Sequence, residues 1–230
     1  GQTVPVARLV TVAVMTARIM IVDDDPLVRS GLRLLLGGDA GLDIVAEAGN
    51  GQEALDTHAT APVDLVLMDL RMPVLDGIAA TGRFKALVSP PAIIVLTTFD
   101  ADDYVVRALA MGADGFLLKD TPPDDIVAAI HQVLDGRPAL SPSVTAALIK
   151  QVVTSGGHRT SSAVERVDRL TARERDVAVE LARGASNAEI AERLYMSLAT
   201  VKAHISHIFT KLDAGNRVQV AILMHDAGMV

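Results

Sequence analysis

Short apolar runs recur along the first half of the chain, and longer segments with helical apolar spacing separate them. The runs cover residues 18–22, 43–48, 65–68, 93–96 and 116–118. Runs of this length alternating with helical segments predict a parallel sheet with helices on both faces. Helix signals agree, because Asp25 before Pro26 suits a helix start, Asn50 and Glu53 have capping-box spacing, and Gly112 suits a left-handed helix end. We therefore predict a doubly wound α/β domain with five parallel strands.

Polar residues stand where the predicted strands end. They are Asp23, Asp24 and Asp25 after the first strand, Asp69 after the third, Thr97 and Thr98 after the fourth, and Lys119 after the fifth. In a sheet ordered 2-1-3-4-5, the first and third strands are neighbours at the switch point, where ligands bind beyond the carboxyl ends of the strands. Asp23, Asp24 and Asp69 should therefore converge.

Converging carboxylates repel one another unless one takes a proton or a cation joins them. Mg²⁺ fits best, because it prefers oxygen ligands and one or two carboxylates combined with phosphate oxygens. Asp69 would then be a nucleophile toward a phosphoryl group, with Lys119 and the Thr97 hydroxyl stabilising the phosphate oxygens. Taken on its own stretch of sequence, Asp69 could equally be a cap for the following loop.

The second half of the chain contains four segments with helical patterns and clear start signals. Thr171 with Glu174 and Ser186 with Glu189 have capping-box spacing, and Ser197 can cap the third helix. Within that third helix, one stripe is apolar and should be core, namely Val201, Ile205, Ile208 and Leu212. The opposite face is polar and small and could enter a DNA major groove; it carries Ala199, Lys202, Ala203, Ser206 and Thr210. Spacing alone is also compatible with any small helical bundle.

Composition and charge agree with two domains of different character. Half of the 230 residues are hydrophobic, which is enough for two cores, and the absence of cysteine excludes disulfides, thiolate metal sites and a cysteine nucleophile. A chain without cysteine suits a reducing cytosol. Residues 15–140 contain 9 Lys or Arg and 19 Asp or Glu, a net charge of −10, whereas residues 159–230 contain 10 and 9, a net charge of +1. The acidic half suits a divalent cation, and the near-neutral half can approach DNA.

Turn-forming and small residues divide the chain into segments. Residues 1–16 are predicted to be an N-terminal extension, either appended or produced by a mis-assigned start. Residues 138–166 are predicted to be a linker with one helix, begun by Ser141 and Pro142, followed by a flexible Gly- and Ser-rich stretch. No apolar run approaches the ~20 residues that a membrane helix needs, so no membrane association is predicted.

Residues 17–137 are similar to the receiver domain of two-component response regulators, which has a flavodoxin-like fold. The resemblance rests on four separated motifs, IVDDD, LMDLRMP followed by DG, VLTTFD and GADGFLLKD. It implies that Asp69 accepts phosphate from a sensor histidine kinase, that Asp23, Asp24 and Asp69 hold Mg²⁺, that Thr97 and Phe116 form a switch pair, and that Lys119 contacts the phosphate. Two positions depart from the common pattern. Asp120 stands where many receivers have proline, and Phe116 replaces a tyrosine, so it can pack but cannot donate a hydrogen bond.

Residues 167–230 resemble the LuxR-type helix-turn-helix, which together with the receiver is typical of NarL/FixJ response regulators. The segments that carry the resemblance are LTARERDVAVELARG, SNAEIAERL, SLATVKAHISHIFTKL and NRVQVAI. It implies that residues 197–212 are the recognition helix and that its DNA-binding residues are Thr200, Lys202, Ala203, His204 and Ser206, with Lys202 the best single candidate. Ser206 stands where relatives can carry a basic residue. Val218 and Ile222 in the last helix should supply a dimer surface, the alternative being core alone.

The two resemblances together imply a phosphorylation-controlled transcription factor in the cytoplasm, and not an enzyme. We expect phosphate on Asp69 to attract Thr97 and let Phe116 move inward, which promotes a homodimer on inverted or direct half-sites of promoter DNA. One alternative is a DNA-binding regulator with a pseudo-receiver that takes no phosphate. Another is a phosphoaspartate phosphatase, but that class needs a second aspartate two residues after the nucleophile, where Arg71 stands. Whether the recognition helix is covered by the receiver is left open by the sequence.

Overall fold

The five predicted strands form a parallel sheet together with one short additional strand. A computed structural model describes residues 16–98, 102–142, 144–146, 148–149 and 160–230. The strands are β1 Ala17–Val22, β2 Leu42–Ala48, β3 Leu65–Met68, β4 Ala92–Thr97, β5 Gly115–Leu118 and β6 Ala139–Leu140. Their order is β2-β1-β3-β4-β5-β6, so the predicted order is confirmed and the five predicted strands lie within one residue of their observed bounds.

Strand β6 was not predicted, because two residues are too short to produce a periodic pattern. Ala139 and Leu140 pair in parallel with Gly115 and Phe116 of β5. The sheet therefore extends beyond residue 137, and the segment predicted as linker begins inside the sheet.

Helices cover both faces of the sheet. They are α1 Pro26–Leu36, α2 Gly51–Thr60, α3 Gly77–Lys85, α4 Asp102–Ala110 and α5 Pro123–Leu134. Side chains alternate along β1, so that Ile19 and Ile21 pack with α1 and α5 while Met20 and Val22 pack with α2 and α3. A third cluster joins α4 to β4 and β5. This arrangement leaves the carboxyl ends of the strands open for a site.

The predicted signals mark the ends of several helices. Asp25 caps α1 by accepting a hydrogen bond from the Leu27 amide, and Asn50 caps α2. Glu53 accepts from the Gly49 amide rather than completing a capping box with Asn50. Gly112 follows α4 with φ 105°, a conformation that favours glycine.

The C-terminal half of the chain is helical. Its helices are α6 Thr160–Val167, α7 Ala172–Ala182, α8 Asn187–Arg193, α9 Leu198–Leu212 and α10 Arg217–Asp226. The four predicted helices are α7 to α10. Helix α6 lies mostly within the predicted linker, yet its Val167 is completely buried in the core of this domain. Helix α6 therefore joins the predicted linker to this core through its last residue, and the bounds 138–166 and 167–230 stay a prediction.

The remaining predictions concern the segments outside the two cores. The described residues among 142–149 are helical, as expected for the segment that begins at Ser141 and Pro142. The predicted extension lies almost entirely at residues 1–15, outside the described residues. Among the described helices, none combines the length and the apolar character needed to cross a membrane.

Candidate functional site

Three carboxylates converge at the carboxyl ends of β1 and β3, as predicted. Asp23, Asp24 and Asp69 each offer an oxygen, and these oxygens lie within 4.8 Å of one another. Asp23 and Asp69 are buried, with 2% and 7% of their surface exposed, and Asp24 is exposed to solvent. The site is therefore open on one side, so that a ligand can reach it.

The strand ladder fixes the two buried carboxylates. The Asp69 amide donates to the Val22 carbonyl at 2.9 Å, and the Asp23 amide donates to the Ala48 carbonyl at 3.1 Å. Because these bonds continue the pairing of parallel strands, they set where each aspartate leaves the sheet. The Asp23 Oδ1 atom also accepts from the Asp25 amide at 2.9 Å.

Arg29 supports the same loop, a role that the sequence did not predict. Its Nη1 donates to the Asp23 carbonyl at 2.7 Å, and its Nε donates to Glu47 at 3.2 Å. Glu47 also binds Arg33 at 2.6 Å, and these guanidinium contacts lower its pKa. The position of Arg29 in α1 does not predict this role, because its partner is the backbone carbonyl of Asp23, which lies outside the helix.

Lys119 reaches into the carboxylate cluster. Its Nζ lies 2.5 Å from Asp23 Oδ2 and 3.4 Å from Asp69 Oδ2. Burial acts to lower the pKa of Lys119, but pairing with Asp23 and Asp69 outweighs it and raises that pKa. Lys119 is therefore a fixed positive charge beside the nucleophile candidate.

One ammonium group does not neutralise three carboxylates. Burial raises the pKa of Asp69, the nearby Asp23 raises it further, and Lys119 opposes both. A divalent cation would relieve this repulsion. The donor set consists of carboxylate oxygens, which are the ligands that Mg²⁺ prefers, so the residues present fit the expected metal.

The two expected switch residues are both buried. Thr97 ends β4 and is 1% exposed, and its carbonyl accepts a hydrogen bond from the Lys119 amide at 2.8 Å. Phe116 is completely buried in the cluster that contains Val95 and Leu109. The Phe116 ring thus already lies in the interior in this structure, and its expected movement on phosphorylation stays a prediction.

A mixed-charge cleft of about 510 Å³ adjoins the carboxylates and was not predicted. Tyr104 lies in it near two guanidinium groups, with Arg71 at 5.5 Å and Arg107 at 5.9 Å from the ring centroid. Cation–π contacts of this kind tie the loop after β3 to helix α4. Arg71 thus has a structural partner at the position where a phosphatase would need its second aspartate.

Helix α9 presents the predicted polar face. Ser197 caps it by accepting from the Thr200 amide at 3.0 Å, and the apolar stripe that includes Val201 and Ile208 is buried. The candidate contact residues on the opposite side are exposed or, for His204, partly buried; they are Thr200, Lys202, Ala203, His204 and Ser206. The helix therefore has the amphipathic form that a DNA-reading helix needs.

Glu174 holds α9 in place and was predicted only as a cap. Its carboxylate accepts from the Thr171 amide at 2.8 Å and from Lys211 Nζ at 2.7 Å. Although burial acts to raise the pKa of Glu174, these hydrogen bonds outweigh it and lower that pKa. The start of α7 is thereby joined to the end of the predicted recognition helix.

The predicted reading face of α9 lines a cleft between the two domains. Lys202 and Ser206 lie on one wall, and Lys85 and Pro90 of the first domain lie on the other. The cleft has a volume of about 900 Å³. The first domain therefore stands opposite Lys202 and Ser206, on the side from which a DNA duplex would approach the helix.

The predicted dimer residues lie on helix α10. Val218 and Ile222 are both partly buried and line a groove of about 330 Å³ with Leu181 and Pro138. Both side chains are thus partly accessible to solvent. Pro138, at the end of the first domain, forms part of the groove.

Comparison with known proteins covers both halves of the chain. Residues 19–131 match the family described as response regulator receiver domain, and residues 168–224 match the one described as bacterial regulatory proteins, luxR family. The chain is 39% identical over 208 residues to the transcriptional regulatory protein LnrK of Bacillus subtilis, covering 89% of this chain and 94% of that protein. It is 34% identical over 210 residues to the nitrate/nitrite response regulator protein NarL of Escherichia coli, covering 91% and 95%. Among solved structures, the response regulator ChrA of a heme-sensing two-component system has 34% identity and a TM-score of 0.51, covering 94% of this chain and 100% of that one.

Proposed function

Because the chain belongs to the NarL/FixJ family of two-component response regulators, and is a phosphorylation-dependent transcriptional regulator, we propose that Asp69 is its phosphate acceptor. The donor is a sensor histidine kinase. The observation that carries this proposal is the convergence of Asp23, Asp24 and Asp69, with the Lys119 ammonium group in contact with Asp23 and Asp69. Its partners are a sensor histidine kinase and promoter DNA, and it meets both in the cytoplasm.

The charges around Asp69 support the transfer. Asp23, Asp24 and Asp69 would hold Mg²⁺, which when bound supplies positive charge for the phosphate oxygens. Lys119 lies 3.4 Å from Asp69 and offers a second positive charge at the same place. Asp69 is held for attack by its strand, and its Oδ1 accepts a hydrogen bond from the Leu70 amide at 2.9 Å.

We infer that α9 reads DNA through Lys202 and the small polar residues beside it. With only one lysine on the predicted reading face, a single domain should bind weakly. Two domains joined as a homodimer on adjacent half-sites bind more tightly, because the second contact becomes intramolecular. Val218 and Ile222 are the proposed dimer contacts.

The cleft between the domains supports a closed resting state. While Lys202 and Ser206 face the first domain across it, α9 cannot enter a major groove. Phosphorylation would open the cleft and make both α9 and the dimer surface available. A pseudo-receiver has less support, because Asp23, Asp24 and Asp69 lie together and Lys119 contacts two of them.

Phosphate uptake is the direct test. The full chain is incubated with Mg²⁺ and acetyl phosphate, and intact mass is measured for the wild type, Asp69→Asn and Asp76→Asn. Asp76 is a matched control, because it is a nearby carboxylate that caps α3 and whose Oδ1 acceptor asparagine retains. We expect one phosphoryl group on the wild type and on Asp76→Asn, and none on Asp69→Asn.

Light scattering on the same samples tests the second step. A shift from monomer to dimer only in the samples that gain mass would support the phosphorylation-dependent switch. Absence of uptake by the wild type from acetyl phosphate and from histidine kinases would refute the proposed acceptor and favour a pseudo-receiver.

A further inference from the structure

The two domains meet through helix ends. The C-terminal turns of α4 and α5 in the receiver contact the N-terminal turns of α10 and α8 in the DNA-binding domain. A helix C-terminus has unpaired carbonyls and partial negative charge, and a helix N-terminus has the opposite polarity. The contacts are therefore complementary in both hydrogen bonding and charge.

Asn216 caps two helices at once. Its Oδ1 accepts from the Gln219 amide at 2.9 Å, which caps the start of α10. Its Nδ2 donates to the carbonyls of Leu109 and Ala113 at 2.9 and 2.7 Å, at the end of α4. The side chain is almost fully buried, with 1% of the residue exposed, so losing the receiver would leave its donor group to find water instead.

Gln219 repeats the arrangement one turn further along. Its Nε2 donates to the carbonyls of Leu109 and Ala110 at 2.8 and 2.9 Å. Its Oε1 accepts from the Gly215 amide at 2.7 Å, which holds the side chain in the direction of α4. The carbonyls of Leu109, Ala110 and Ala113, at and just beyond the end of α4, thus accept hydrogen bonds from the other domain.

Two glycines allow this close approach. A Cβ atom on Gly215 would lie 2.7 Å from the Cα of Gly112 and 3.4 Å from its backbone nitrogen. Real Cβ contacts do not reach 2.7 Å, and the atom in the way is backbone, so it cannot rotate aside. Gly215 does not have a positive φ, so its own turn does not require glycine. The contact with the receiver does.

The second point of contact is more polar and more exposed. The Asn187 amide donates to the Asp135 carbonyl at 3.2 Å, and Arg137 lies 2.9 Å from Glu189. The Arg137–Glu189 pair is largely exposed to solvent and should contribute little. The α4 contact is therefore the specific one.

We propose that residues 215–219 are a docking segment whose binding surface is the C-terminal turn of α4, and that this contact holds the regulator closed. The inference rests on the proposed function and names the residues through which the receiver acts on the DNA-binding domain. Leu109 supplies an apolar side chain to the Phe116 cluster and a carbonyl to both Asn216 and Gln219. A displacement of α4 by about 1 Å takes these bonds beyond useful hydrogen-bond length.

Gly215→Ala tests the docking segment in the full chain. Gly38→Ala is the matched control, because Gly38 also lacks a positive φ and a Cβ there meets nothing within 4 Å. Without phosphodonor, we expect Gly215→Ala to have a larger radius of gyration by small-angle scattering than the wild type or Gly38→Ala. Its affinity for a fluorescent random-sequence duplex should rise about tenfold if the wild type is open about one-tenth of the time.

Gln219→Glu is a second variant that keeps the acceptor for the Gly215 amide. It places a carboxylate against the carbonyls of Leu109 and Ala110, where the native amide donates, so it should open the protein in the same way. Unchanged thermal unfolding of the C-terminal domain would show that both variants fold. If folded Gly215→Ala and Gln219→Glu keep the wild-type radius of gyration and duplex affinity, the docking segment is refuted.

Intact mass after acetyl phosphate treatment separates this inference from the proposed function. Opening by Gly215→Ala in a protein whose wild type takes no phosphate would support the docking segment and refute the acceptor. Phosphate uptake on Asp69 with no effect of either variant would refute the docking segment and leave the acceptor supported.

Discussion

Glu174→Gln tests whether a buried charge fixes the recognition helix. The Glu174 side chain is 5% exposed and joins the Thr171 amide in α7's capping box to Lys211 at the end of α9. Glutamine has nearly the same shape and keeps one carbonyl oxygen as an acceptor, but it removes the negative charge. The substitution therefore isolates the contribution of charge from that of packing.

The expected cost follows from these contacts. Hydrogen bonds to charged groups contribute about 1.5–3 kcal/mol, and neutral ones about 0.5–1.5 kcal/mol. Lys211 is 37% exposed, so water screens its part of the interaction and hydrates it after the substitution. We expect Glu174→Gln to lower the free energy of unfolding of the C-terminal domain by about 1–2 kcal/mol.

Hydrogen exchange measured by mass spectrometry reports this change where it occurs. In a peptide covering residues 198–212, a loss of about 1.4 kcal/mol makes exchange through domain opening about tenfold faster. Glu180→Gln is the matched control, because the partners of Glu180 among the described residues are Arg183 and Arg193, which are more exposed than Lys211. Equal exchange rates in Glu174→Gln and Glu180→Gln would refute a special role for Glu174.

The pH dependence gives a second test of the same charge. Burial acts to raise the pKa of Glu174, but its hydrogen bonds with Lys211 and Thr171 lower it below the ordinary value of 4.5. A carboxyl group with a lowered pKa stabilises the fold fully above its unfolded pKa, and this contribution is lost as pH falls through the folded pKa. The difference between the wild type and Glu174→Gln should therefore shrink below pH 4.5.

Three further outcomes are expected. Lys202→Ala should weaken duplex binding and reduce the slope of log affinity against log salt concentration by about 1, as measured by fluorescence anisotropy over a salt series. An unchanged slope would contradict a contact between Lys202 and a DNA phosphate. His58→Gln should flatten the pH dependence of the free energy of unfolding. Burial lowers the pKa of His58 below 6.5, so the wild type loses stability as pH falls below 6.5. An equal loss of stability in the variant would exclude His58 as the source. Asp69→Asn should raise the melting temperature slightly at neutral pH, because burial and Asp23 both disfavour the ionised Asp69 carboxylate. A lower melting temperature would mean that the contact of Asp69 with Lys119 outweighs these two effects.

Local signals explain how much of the fold was predictable. Ser186 and Glu189 form a complete capping box, as their spacing indicates, and Ser197 starts α9 where expected. The predicted strands were correct within one residue, because each is a short apolar run bounded by polar or turn-forming residues. The convergence of Asp23 and Asp69 was also predictable, since the order of parallel strands follows general topological rules.

The missed features join residues that are distant in sequence and share no periodic pattern. Arg29 binds the Asp23 carbonyl, a backbone atom that side-chain patterns do not reveal. Strand β6 exists only because β5 offers it an edge. The carbonyls of Leu109 and Ala113 likewise accept hydrogen bonds from Asn216, which lies more than 100 residues further along the chain.

The amino-acid sequence by itself determined the elements, their order and the chemistry at the strand ends, because hydrophobic period, helix capping and strand topology act over short ranges or through general rules. Only the tertiary structure decided how the two domains meet. Gly112 and Gly215 lie in backbone contact, and Asn216 completes the end of a helix in the other domain. Such contacts depend on distances between folded surfaces, which no local pattern in the chain encodes.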